Sequence, residues 1–159
     1  MGPKFLVRSA VPVCALLVAS SLFVQPARAS AFDESAVDAT TLTGLETRAA
    51  AAEPRERCYL YTELLHGWTE LASREMASGD DDAARSAVQR ADADAVKLKA
   101  ALGKDSKRLK NAELILEHTV HRLSDMMRVT SMEQRDVMQA ALRHMSSVHD
   151  DLLAAVFAH

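Results

Sequence analysis

Proline, glycine, cysteine and aromatic residues are all scarce in this chain of 159 residues, and each scarcity removes a class of fold or chemistry. Three of the four prolines, Pro3, Pro12 and Pro26, fall near the N-terminus, so beyond Pro54 nothing interrupts a helix by ring constraint. Past residue 29 the only glycines are Gly44, Gly67, Gly79 and Gly103, too few for a glycine-rich phosphate loop. The two cysteines, Cys14 and Cys58, do not form the C-x-x-C-H of covalent haem attachment. Runs of β-branched residues are absent, which argues against a sheet. No long basic stripe exists and the formal net charge is −3, so nucleic acid is not the expected ligand.

What is there begins with an export signal. Lys4 and Arg8 supply a positive start, an apolar stretch runs from about Ser9 to Val24, and Gln25-Pro26 breaks it. Ala27-Arg28-Ala29 then offers a small-x-small cleavage site, with Ala29-Ser30-Ala31 as the alternative. The apolar run is shorter than the ~20 residues of a spanning helix, so a cleaved signal peptide over 1–29 is preferred to an uncleaved anchor. Val13 before Cys14 is too bulky for lipoprotein processing. Cleavage removes three basic residues and no acidic ones, leaving 16 basic against 22 acidic, a balance of −6. It also leaves Cys58 as the single thiol, which excludes an intrachain disulfide in the exported chain. Burial on a helix face is the plain reading of that thiol; an intermolecular disulfide is the other.

Residues 30–53, rich in Asp, Ala, Thr and Ser, read as a flexible tether with at most a short helix through Leu45–Ala52. From residue 54 onward the composition is that of strong helix formers. Pro54 suits a first helical turn, Gly79 a C-terminal cap, and Asp80-Asp81-Asp82 the next N-terminus. Gly103 closes a second helix and Asp105 or Ser106 opens a third. Thr130 with Glu133, and Ser131 with Gln134, make two overlapping capping boxes before a fourth. Four helices follow, about 55–78, 81–102, 106–129 and 132–157. Short turns between them predict an all-α, up-down-up-down four-helix bundle over 54–159. Apolar stripes at helical period support it: Leu64, Leu65 and Trp68 in the first helix, Leu116 and Leu123 in the third, Met138, Met145 and Leu152 in the fourth. The second helix has an alanine stripe, Ala84, Ala87, Ala91 and Ala95, that buries less area and is expected to be held least firmly.

Several constellations invite chemistry. Glu63-x-x-His66 is the helical motif of carboxylate-bridged di-iron bundles, but a second copy is missing and both residues fall opposite the apolar stripe. His118, His121 and Asp125 share one helical face that suits zinc or copper, though by phase that face points to solvent. His149 lies near the centre of the fourth stripe, at the level expected for Cys58, Tyr59 and Tyr61; it is the candidate for haem, against a plain hydrogen bond to a tyrosine or backbone. Of the methionines after residue 29, Met126, Met138 and Met145 read as core filling, Met127 as a stripe edge and Met132 as a helix start, without an M-x-x-M repeat for copper. No serine–histidine–acid set is recognisable.

Residues 65–98 carry a tetratricopeptide-like pattern in Trp68, Leu71-Ala72, Gly79-Asp80, Ala84 and Ala91, but 106–157 does not repeat it at the period of 34. The expectation is therefore an exported, periplasmic or secreted, non-catalytic helical domain without a cofactor. It would act by protein contact, as adaptor, chaperone-like or structural module, with a homodimer as a further reading. The alternative is a small metal- or haem-binding bundle using His118 and His121, or His149.

Overall fold

The computed structural model describes residues 37–103 and 105–158, all of them helix or short connection. The expected signal peptide over 1–29, its cleavage site, and the first residues of the expected tether lie outside the described residues. Five helices are present: α1 (Ala39–Ala51), α2 (Pro54–Ser78), α3 (Asp81–Ala101), α4 (Leu109–Val129) and α5 (Met132–Phe157).

The tether reading needs correction. Asp38 caps α1 by accepting the Thr41 N–H at 2.7 Å, and Leu42, Leu45 and Ala49 fall on one helical face that is buried against α2. The fit is close. A Cβ built on Gly67 of α2 would sit 2.5 Å from Leu42 Cδ2, so only glycine leaves room for this approach. Two leucines and an alanine suffice as an apolar face because a glycine in the partner helix receives them.

Most of the expected boundaries hold, some by other means than expected. Gly79 takes a left-handed conformation (φ 83°), its N–H and that of Asp80 bonding to the carbonyls of Met76 and Glu75. Asp80 caps α3 through the Ala83 N–H at 2.9 Å. Helix α5 starts at Met132 after Ser131, but neither capping box forms. Thr130 Oγ1 bonds back to the Met126 carbonyl, and the buried Gln134 side chain donates to the Asp81 carbonyl of α3 instead. Helix α4 starts three residues later than expected, because Ser106 Oγ accepts the Gly103 N–H within the connection.

That later start changes how the helices meet. Helix pairs α2–α3, α4–α5, α2–α4 and α3–α5 pack together, whereas α3 and α4 do not pack on each other among the described residues. Directions alternate as expected, but consecutive helices are not neighbours all round the bundle. The connection 102–108 runs along its diagonal, roughly 14 Å for helices about 10 Å apart. Seven residues reach this with ease, since an extended chain covers about 3.3 Å per residue. The start of α4 lies beside the start of α2, where Lys107 N donates to the Arg55 carbonyl at 2.7 Å. Helices α2 and α4 therefore run parallel, paired by Glu56–Lys107, His66–Thr119 and Glu70–Arg122. Helices α3 and α5 also run parallel, paired by Asp81–Gln134, Asp92–His144 and Lys99–Asp151. Two helical hairpins thus lie side by side in the same sense, with α1 on α2. The core between them holds Leu64, Leu65, Leu98, Leu116, Leu123 and Met145, all nearly inaccessible.

Candidate functional site

Polar groups concentrate where α1, α2 and α3 meet. Asp94 stands at a core position of the alanine stripe, between Ala91 and Leu98, and is 2 % exposed. Burial pushes its carboxyl above the ordinary range, opposed by Lys97, whose Nζ lies 2.9 Å away. Lys97 also bonds Glu46 of α1 and sits 6.0 Å from the centre of the Tyr61 ring. One ammonium is thus held by carboxylates from two helices, and its own pKa is raised despite partial desolvation. The Trp68 indole N–H lies towards Asp94 but closes no hydrogen bond of good geometry. On its other side, the Arg90 guanidinium stacks over the Trp68 ring at 4.9 Å. An open groove of about 480 Å³ passes here, lined by Trp68, Leu71, Arg74, Arg90 and Thr43. Arg74 at its edge donates to the Val37 carbonyl, fastening the approach to α1. Chemically, the junction is a charge clamp between α1 and α3, flanked by a groove with an aromatic floor and two guanidinium groups.

The sequence candidates fall elsewhere. Glu63 and His66 do not point to solvent as their helical phase suggested. Glu63 is buried and faces Arg48 of α1 at 4.0 Å, while His66 Nδ1 meets Thr119 Oγ1 of α4 at 3.1 Å. Helix α2 has neighbours on three sides, so its second face is also covered. Tyr59, beside Glu63, has its phenol pushed up by burial and by that carboxylate.

His118 and His121 are exposed, and Asp125 pairs with Arg128 at 3.5 Å. Among the described residues no group of three or more His, Cys, Asp or Glu side chains is placed to hold a metal ion. His149 is half-buried, but its partner is Glu113 of α4, Nε2 to Oε1 3.3 Å, rather than a tyrosine or Cys58. Helix α5 lies diagonal to α2, so the expected level was right and the expected neighbour was not. Cys58 is fully buried, and burial pushes its thiol up to about 11, which keeps it protonated and unreactive.

Sequence reasoning passed over Asp94 and the His144–Asp92 pair (2.9 Å). The first had a visible signal: an aspartate spaced three and four residues from Ala91 and Leu98 stands inside the stripe. Comparison with protein-family models, curated proteins and solved structures finds no match for this chain.

Proposed function

We propose that the protein is an exported, non-catalytic helical module that acts by contact with another protein. One observation carries this reading: the side chains with chemical potential are spent across helix interfaces. His66 meets Thr119, His144 meets Asp92, His149 meets Glu113 and Glu70 meets Arg122, each pair joining two helices. Stacked helical hairpins of this kind offer extended surfaces and grooves, as helical-repeat proteins do. The Trp68–Arg90 groove is the surface best suited to a partner, since aromatic and arginine side chains dominate contact energies. Export rests on the sequence of residues 1–31, with its basic start, apolar stretch and small-x-small sites.

Site-specific photocrosslinking in the native cell tests the contact reading. A crosslinking amino acid at Arg90 is expected to give a discrete protein adduct, and the same residue at Lys110 on the outer face of α4 is not. Smears of equal strength at both positions, or no adduct at either, would overturn it. N-terminal sequencing of the protein from its host checks export: the expected start is Ser30 or Phe32, and an intact Met1 in the recovered protein counts against cleavage.

A further inference from the structure

We infer that Met76, Met126 and Met138 form a thioether site for a soft monovalent ion, Cu(I), at the end of the bundle where α2, α4 and α5 meet. The observation begins with one hydroxyl. Thr130 Oγ1 lies 3.0 Å from the Met126 carbonyl and 3.5 Å from both Met76 Sδ and Met138 Sδ. A hydroxyl has one proton to donate, and the carbonyl is the shortest and strongest acceptor. Both sulfurs therefore lie beside the same oxygen, at most about 7 Å from each other, without a donor. Met76 comes from α2 and Met138 from α5, so the pair is created by the fold alone.

A third thioether completes the set. Met126 of α4 and Met76 line the same open cavity of about 410 Å³, which gives an ion a path from solvent. The charges at its mouth are already paired, Arg122 with Glu70 and Asp125 with Arg128, so they present no lone cation to repel an incoming one. Three thioethers without a thiolate or an imidazole make a soft donor set, which selects Cu(I) and leaves Zn²⁺ and Mg²⁺ in water. The methionine stem has three rotatable bonds, so the sulfurs can close on an ion without backbone movement. Spacing in the sequence hid the site because no two of the three residues belong to one helix. The inference is independent of the contact reading, as a bundle that grips a partner by the Trp68 groove keeps this end open.

The test uses the full chain with both cysteines replaced (Cys14→Ser, Cys58→Ala), so that no thiolate competes; Cys58→Val serves if alanine leaves the core unfolded. Methionine methyl groups are labelled with ¹³C and followed by NMR during titration with Ag(I), a redox-inert ion of the same donor preference. One equivalent is expected to shift the methyl signals of Met76, Met126 and Met138 and to leave Met145, deeper in the core, in place. Cu(I) delivered from a chelator under anaerobic conditions displaces Ag(I) from the same signals. Met76→Leu and Met138→Leu each weaken Ag(I) binding at least about tenfold while helical circular dichroism is unchanged. Shifts confined to the exposed Met132 would mean an adventitious ion only and overturn the proposal, as would no shift, or equal affinity in the leucine variants.

Discussion

Gly67, Cys58 and Asp94 each do something their neighbours in sequence do not announce. Gly67 seats Leu42, and any side chain there must displace α1 or turn Leu42 out of its place. A Gly67→Leu substitution is expected to cost about 3 kcal/mol, the upper end for overpacking, and to abolish amide-exchange protection across Ala39–Ala51 while α4 keeps its own. Cys58, buried and protonated, should resist iodoacetamide at pH 7.5 in the native protein and react on addition of denaturant; rapid native labelling would contradict its placement. Asp94 gives a pH signature. Its folded pKa is raised, so the folded state favours the neutral acid. Its contribution to stability is complete below the ordinary carboxylate range and is lost as pH rises through the folded pKa. Asp94→Asn removes that loss. Urea midpoints of variant and parent, measured from about pH 3.5 to 7, should therefore diverge in the variant's favour as pH rises. The aspartate within an alanine stripe was readable in advance; the tolerance for it, from Lys97 and Glu46 of α1, was not.

At the scale of elements, the long helices were legible because their signals are local: Pro54 at a first turn, Gly79 in a left-handed cap, Asp80 on Ala83. Helix α1 was missed because its apolar face is only Leu42, Leu45 and Ala49, and what makes this enough is a glycine on another helix. The alanine stripe of α3, expected to hold least firmly, instead lets α3 lie close against α2 along its length, because small side chains shorten the interhelical distance. At Thr130–Gln134 local pattern gave the boundary but not the bonds, since a buried carbonyl on α3 competes for the Gln134 amide. Gln134→Ala should thus cost more than a lost surface cap. About 1–2 kcal/mol is expected by chemical denaturation, because the buried Asp81 carbonyl loses that donor. Glu70→Gln, which weakens the partly exposed pair with Arg122, should cost under about 1 kcal/mol in the same assay.

For the whole molecule, alternation of helix direction was legible and the choice of neighbours was not. Helical phase says which face is apolar, but α2 has covered faces on several sides, and nothing local distinguishes a connection along an edge from one along the diagonal. The same ambiguity misdirected Glu63, His66 and His149. Paired cysteines check the arrangement in a background of Cys14→Ser and Cys58→Ala. Asp92→Cys with His144→Cys should crosslink readily through a short bismaleimide, and Ala93→Cys with His118→Cys should not. The reverse result would restore a ring in which α3 neighbours α4.

The parallel pairing has a kinetic side. Glu56–Lys107, His66–Thr119, Glu70–Arg122, Asp81–Gln134 and Asp92–His144 join residues 51 to 53 positions apart. The two hairpins thus engage like the scales of a vernier, every mark depending on the same offset. One residue inserted within α4 would turn every later side chain of that helix by about 100° and carry the marks beyond it out of line together. Each hairpin has short-range contacts of its own and is able to form early, but their union requires one long loop to close in a single correct register. Folding of this chain should therefore be limited by docking of finished hairpins rather than by the making of helices.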